Sequence, residues 1–324
     1  MTGGGAGPLV VVLDDYQRVA RAAAPWGELE DELGAEVRVL HRHLLGEELV
    51  AALRGAQVVV AMRERTPVDA ALLDRLPELR LLVTTGMANA AVDVGAAAAR
   101  GVLVCGTRLL ASPAAELTWA LVHAVTRRVV QEERALRDGR WQETVGTDLA
   151  GSTLGVMGLG KLGARVARVG LAFDMRVLAW SQHLDPVRAR EVGAEPVTKD
   201  RLLAESDVLT LHLRLSERTR GVVGDADLRR MKPGAVLVNT SRGPLVDTGA
   251  LVAALREGRL AGAGLDVFDE EPLPPTSPLR DAPRTVLTPH LGYVTEGNYR
   301  TAYGDAVEDV RAWAAGTPVR VLES

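Results

Sequence analysis

The chain has 324 residues, enough for two domains that each bury an apolar core, and 47% of them are hydrophobic. A formal net charge of −4, with the basic residues dispersed along the chain, argues against any general attraction to nucleic acid or an acidic membrane. The one cysteine excludes an intramolecular disulfide and any Cys-based zinc site, and aromatics at 3% leave the interior to Leu, Val and Ala.

In chain order, short Val- and Leu-rich runs predict strands at Leu9–Leu13, Glu36–Leu40, Val58–Met62, Leu81–Thr84 and Leu103–Cys105. Further strands are predicted at Thr153–Met157, Arg176–Ala179, Val208–Leu213, Ala235–Asn239, Gly262–Asp266 and Thr285–Leu287. Segments of helical length separate them. Continuous apolar strands in that alternation predict an α/β protein whose parallel sheets are covered on both faces.

Met1–Pro8 has no basic region, and the apolar run after it stops at Asp14, so the start reads as a first core strand and not a signal peptide. No segment approaches about 18 apolar residues without a charge, so no membrane span is expected and the cytoplasm is the expected compartment. Cys105 reads as the end of a buried strand, with nothing nearby to activate its thiol.

Two long helices are predicted. Ser112–Arg137 opens with Ser-Pro, where serine can cap and proline fits the first turn; Leu117, Leu121, Val125 and Val129 recur at four-residue steps. The other, about Glu296–Ala315, stops at Gly316 and Pro318. Glu271–Pro283, with five prolines, reads as an irregular loop.

The strand Thr153–Met157 runs into Gly158-Leu159-Gly160-Lys161-Leu162-Gly163 and then a helical segment. This is a G-x-G-x-x-G turn between strand and helix, the setting in which it binds a dinucleotide. The first glycine permits the tight turn, the second lets a pyrophosphate approach the backbone, and the third lets the helix pack on the strand. After the next strand, Ser181 stands where an acid gripping the adenosine ribose is expected. Serine neither chelates the ribose diol nor repels a 2′-phosphate, so NAD and NADP both stay open.

Downstream come Met231–Asp247 with Asn239-Thr240-Ser241-Arg242-Gly243, then Gly264-Leu265-Asp266 with Glu271-Pro272, then Thr288-Pro289-His290. Each places a charged or titratable group just beyond an apolar strand, where clefts form in doubly wound sheets. Hydride transfer between an alcohol and nicotinamide needs a proton acceptor, a task suited to His290. A carboxylate such as Glu271 favours the protonated imidazole, and Arg242 can hold an α-hydroxy carboxylate bidentately.

In these three motifs and the glycine turn the chain closely resembles the D-isomer-specific 2-hydroxyacid dehydrogenases, which include D-3-phosphoglycerate, D-lactate, glyoxylate/hydroxypyruvate and formate dehydrogenases. The resemblance extends over nearly the whole chain. It implies catalytic roles for Arg242, Glu271 and His290, and nicotinamide-end contacts from Thr240 and Asp266. Lys161 and Leu162 are placed over the pyrophosphate, and Thr219 falls in a cofactor loop that usually has proline where Arg214 stands.

On the substrate side, Thr84–Asp93 resembles the family's carboxylate-binding turn, which assigns that role to the N–H groups of Gly86 and Met87, with Arg63 as a further pocket residue. The other histidines, among them His41, His43 and His183, have no matched partners, and no spacing suggests a metal site.

The expected fold is two doubly wound domains. A Rossmann cofactor domain, 107–293, is inserted into a smaller flavodoxin-like substrate domain, 1–106 plus 294–324, and the cleft is expected to close on substrate. The long helix offers more apolar length than one domain covers, and the resemblance implies a homodimer. The expected activity is hydride transfer between NAD(P)(H) and a 2-oxo acid/D-2-hydroxy acid pair. The alternatives are a catalytically silent nicotinamide sensor or a formate- or phosphite-type dehydrogenase.

Overall fold

Each predicted strand is present in the computed structural model, which describes residues 7–323; the first residues of the Met1–Pro8 segment lie outside that range. The described residues divide into two compact units, one within Met1–Leu110 and Val294–Ser324, the other within Ala111–Tyr293.

In the first unit five parallel strands, β1 (Leu9–Val12), β2 (Glu36–Val39), β3 (Val58–Ala61), β4 (Leu81–Thr84) and β5 (Leu103–Gly106), lie in the order β2-β1-β3-β4-β5. That is the flavodoxin-like order, with a switch point between β1 and β3. The runs are unbroken because both faces are covered: every residue of β3 and β4 is buried. At the free edge of β5 the C-terminal tail pairs in the opposite sense. The Leu322 amide donates to the Val104 carbonyl at 2.8 Å and the Gly106 amide to the Arg320 carbonyl at 2.9 Å. Covering an edge in this way removes a site for unwanted strand pairing.

The second unit has seven parallel strands: β6 (Thr153–Met157), β7 (Arg176–Trp180), β8 (Glu195–Pro196), β9 (Val208–Leu211), β10 (Val236–Asn239), β11 (Gly262–Leu265) and β12 (Thr285–Leu287). Their order is β12-β11-β10-β9-β6-β7-β8. Counted from β6 this is the Rossmann order 3-2-1-4-5-6 with a seventh strand added beyond the sixth. The two-residue β8 was not predicted. Its Pro196 cannot donate to a ladder, so it sits at an edge and offers no strand-like run.

The helix predicted over Ser112–Arg137 is two helices, α1 (Ser112–Thr126) and α2 (Val129–Arg137). The break falls at Arg128, in the left-handed region at φ 56. Val129, counted in the apolar stripe, is therefore turned out and 51% exposed. Ser112 does not cap: the cap position is Ala111, which makes no side-chain bond, and Ser112 is the first helical residue. The helix after the glycine turn is α3 (Lys161–Ala172), and the last is α4 (Glu296–Ala314), capped by the Thr295 side chain and followed by Gly316 at φ +74.

Candidate active site

The three glycines of the turn each have a distinct geometric reason. Gly158 has φ +102, and a Cβ there would meet the His212 carbonyl oxygen at 2.7 Å. A Cβ on Gly163 would lie 2.0 Å from the Gly158 carbonyl oxygen, so α3 can approach β6 only without one. Gly160, the N-cap of α3, has nothing within 4 Å of its Cβ position. An open glycine at a helix N-terminus is the cradle a pyrophosphate requires. Lys161 and Leu162 form the first turn of α3, with Lys161 exposed.

Arg242 follows β10 on an extended residue. Asn239 folds its loop, donating to the Arg242 carbonyl at 2.8 Å and accepting from the Ser241 amide at 3.0 Å. The Ser241 hydroxyl donates to the Leu213 carbonyl, and the Arg242 guanidinium to the Ser241 carbonyl. The next residue, Gly243, brings this loop against the one after β11: a Cβ there would lie 2.0 Å from the Phe268 carbonyl carbon. In that neighbouring loop the Phe268 amide donates to Oε1 of Glu271 at 2.9 Å.

Oε2 of Glu271 is 2.6 Å from Nδ1 of His290. With Nδ1 engaged, Nε2 is the other ring nitrogen at which the imidazole can take up or give a proton. Both side chains are mostly enclosed, at 19% exposure for His290 and 31% for Glu271. Tyr293 stands edge-on to the imidazole, with centroids 5.4 Å apart. His290 is itself held at φ 54, a left-handed conformation rare for a residue with a side chain.

Asp266, at the end of β11 and fully buried, holds that conformation. Its carbonyl accepts the His290 amide at 2.8 Å. Its carboxylate accepts the Thr288 hydroxyl and the amides of Leu291 and Gly292 at 2.6–2.8 Å. Burial pushes this carboxyl above its usual range, against those three donors.

Residues 119–292 match the NAD-binding domain of the D-isomer specific 2-hydroxyacid dehydrogenases. A glyoxylate reductase of Aeropyrum pernix is 41% identical over 259 residues, 77% of each chain. The chain belongs to the D-isomer specific 2-hydroxyacid dehydrogenase family. A D-3-phosphoglycerate dehydrogenase of Mycobacterium leprae is 39% identical over 95% of this chain, which spans 57% of that longer protein. A solved phosphoglycerate oxidoreductase of Vibrio cholerae superposes with a TM-score of 0.90 at 36% identity, over 95% of this chain and 99% of the other. The protein is therefore a nicotinamide-dependent oxidoreductase of 2-oxo acids and D-2-hydroxy acids.

The remaining predicted positions in this dehydrogenase differ in what their groups do. The Thr240 hydroxyl meets that of Thr118 on α1 at 2.8 Å. The Thr219 hydroxyl is spent within its own loop, on the Arg214 carbonyl and the Ser216 amide, both at 2.8 Å. Ser181 follows directly on β7, and its carbonyl accepts the Leu184 amide.

In the first unit, Gly86 has φ +99 and its amide donates to the Thr107 hydroxyl at 3.0 Å. Gly86 thus shapes the turn with an amide already engaged, and Met87, with a 50% exposed side chain, stands at its tip. Arg63 braces the same turn, donating to the Thr85 carbonyl at 2.8 Å and pairing with Glu64.

Sequence reading left His41 and His43 without partners, and the dehydrogenase corrects this. His43 Nδ1 lies 3.0 Å from Oδ1 of Asp14, whose Oδ2 accepts the Thr66 hydroxyl at 2.6 Å; His41 Nδ1 lies 3.1 Å from the Asp15 carbonyl. Asp14 comes two residues after β1, so a charge just past an apolar strand was the available signal. Cys105 is fully buried, and burial pushes its thiol up to about 12, which fits a structural residue.

Proposed function

We propose that Arg242, Glu271 and His290 carry out reversible reduction of a 2-oxo acid to the D-2-hydroxy acid, with glyoxylate and hydroxypyruvate as the first substrates to test. The observation that carries the reading is the 2.6 Å bond between Glu271 and His290, which leaves one imidazole nitrogen for the substrate. The bound nicotinamide supplies the hydride in reduction and accepts it in oxidation. In the oxidative direction His290 takes the hydroxyl proton at Nε2 and Glu271 stabilises the imidazolium; in reduction His290 returns that proton to the carbonyl oxygen. Arg242 binds the carboxylate and polarises the carbonyl, since its fork matches two oxygens at once.

Gly158, Gly160, Lys161, Leu162 and Gly163 hold the dinucleotide pyrophosphate, supported by the open N-terminus of α3. Thr240 and Asp266 serve the nicotinamide end, Asp266 through the loop of His290, and Thr219 orders the 214–219 loop. Ser181 favours acceptance of NADP as well as NAD, because no carboxylate stands there to repel a 2′-phosphate. In the first unit, residues 1–106 and 294–324 are assigned to substrate, with the Gly86–Met87 turn and Arg63 as its contacts; residues 107–293 are assigned to the cofactor.

A homodimer is supported by exposed Leu136 on α2 and by Trp141 and Val145 just beyond it, at 58%, 75% and 93% exposure. A cytoplasmic setting is supported by the lone, buried Cys105. The intact acid–imidazole pair favours turnover over the silent sensor, which needs no proton donor. The test is steady-state reduction of glyoxylate, hydroxypyruvate, phenylpyruvate and 2-oxoisocaproate with NADH and with NADPH. Saturable turnover of at least one oxo acid is expected; none with either cofactor would reject the reading.

A further inference from the structure

The first unit holds a cavity of about 340 Å³ between the short helix Ala20–Ala23 and the start of α4. That volume falls in the range of small-molecule sites, about 300–1,000 Å³. Val19, Ala22, Ala23, Val294 and Tyr299 give it apolar walls. Tyr299 is buried and fixed in place: its ring stacks on Tyr303, with centroids 5.7 Å apart, and its hydroxyl donates to Oε1 of Gln17 at 3.0 Å. The charges around the cavity cancel. Glu296 and Arg300 line it and pair with each other at 3.1 Å, while Arg65 and Asp15 bring opposite signs to the neighbourhood of the Tyr299 hydroxyl. Apolar walls without a surplus cation disfavour a phosphate or a second carboxylate, because a charge leaving water needs a paired opposite charge.

We propose that this cavity takes the side chain of the substrate, and that the preferred 2-oxo acids carry an uncharged, apolar group of isobutyl or benzyl size. The proposal rests on the dehydrogenase reading above, in which the first unit holds the substrate. Val294 follows His290 by four residues, so covalent geometry alone keeps their Cα atoms within about 14 Å. One wall of the cavity is thus tethered to the residue that handles the proton. In an apolar pocket one methylene more or less changes kcat/KM roughly 10- to 200-fold, so the cavity sets a preference by side-chain length and charge.

The experiment compares pyruvate, 2-oxoisocaproate and 2-oxoglutarate, which present a methyl group, a longer apolar group and a charged one. Each is titrated calorimetrically into the full chain with saturating NAD or NADP, where no hydride can pass, and then assayed for kcat/KM with NADH or NADPH. The comparison proteins are Ala22→Trp and Val19→Phe, which fill the cavity from two positions; Ala22 is exposed, so a larger side chain there leaves the core alone. The expected result is 2-oxoisocaproate at least tenfold ahead of the other two in affinity and in kcat/KM, with its ratio to pyruvate lowered at least tenfold in each variant. A preference for 2-oxoglutarate, no preference, or an unchanged ratio in both variants would overturn the proposal while turnover itself upholds the dehydrogenase reading. Binding of 2-oxoisocaproate that the variants weaken, with no oxo acid turned over, would reject that reading and uphold the cavity. Neither binding nor turnover would reject both.

Discussion

Gly243→Ala isolates the contact that seats the loop of Arg242 on the loop leading to Glu271. The added Cβ would lie 2.0 Å from the Phe268 carbonyl carbon, 2.3 Å from its oxygen and 2.5 Å from the Asp269 nitrogen. All three are backbone atoms, so no side chain can swing aside. Ordinary contact begins at 3.4 Å, and reaching it separates the two loops by about 1.4 Å, a step that forces strain worth about 1–3 kcal/mol. One loop carries Arg242 and the other carries Glu271, so the strain falls on their relative placement. A misplacement of about 1 Å costs on the order of 100-fold in rate. The assay is kcat for the best oxo acid, with cofactor affinity by nucleotide fluorescence quenching and folding by thermal melt. Gly243→Ala is expected to lose about 100-fold in kcat with cofactor affinity kept and a lowered Tm. A folded variant within threefold of wild type would refute the argument that this glycine registers the two loops.

Three further outcomes follow from other contacts. Glu271→Gln keeps a hydrogen-bonding shape but removes the charge beside the imidazolium; losing a charge-assisted bond costs about 1.5–3 kcal/mol, roughly 10- to 150-fold in kcat, and a kcat within twofold of wild type would contradict it. Burial raises the Asp309 carboxyl to about 7, with Arg320 opposing that rise and Asp305 and Glu308 adding to it. Since the folded value lies above the unfolded one of about 3.9, the folded state holds the extra proton, and this contribution to stability is present at low pH and fades as pH rises through about 7. Melts from pH 5 to 8 should show wild type losing stability relative to Asp309→Asn, and parallel curves would show that the carboxyl ionises freely. Finally, Leu136→Glu and Trp141→Glu place charge on the exposed apolar surface, and light scattering is expected to find these variants at half the mass of the proposed wild-type homodimer; unchanged mass would move the interface elsewhere.

The strands were legible because parallel strands buried on both faces leave unbroken apolar runs, as in Val58–Ala61 and Val208–Leu211. The glycine turn was legible for a similar reason: at Gly158 and Gly163 the backbone approaches so closely that sequence and geometry state one constraint. The break at Arg128 was hidden, because apolar spacing continues across it and arginine gives no warning of a left-handed φ. The Asp14–His43 pair was hidden because its members are 29 residues apart and meet only when β1 and β2 align. Gly86 was assigned to substrate through the resemblance of Thr84–Asp93 to the family's carboxylate-binding turn, and that motif says nothing of the Thr107 hydroxyl that the Gly86 amide meets. Gly243 passed unremarked, since nothing in Arg-Gly-Pro indicates that Phe268 will press against it.

The three groups proposed to carry the chemistry follow three neighbouring strands of the second unit, and the backbone between them does the aligning. Arg242 follows β10, Glu271 stands beyond β11 and His290 lies past β12, so the groups arrive on consecutive strands of one sheet. Strand spacing alone, about 4.8 Å, places the loops near each other but does not set side chains to hydrogen-bonding accuracy. Three further constraints do: Asn239 closes the Arg242 loop, Gly243 seats it on Phe268, and Asp266 gathers four backbone and hydroxyl donors from the His290 loop. Of these residues only Asp266 carries a charge, and burial makes that charge costly unless every donor stays in place. Loss of any one donor therefore strains the left-handed His290 before it touches Arg242, so substitutions at Thr288 should impair proton transfer more than carboxylate binding, lowering kcat while KM for the oxo acid changes little.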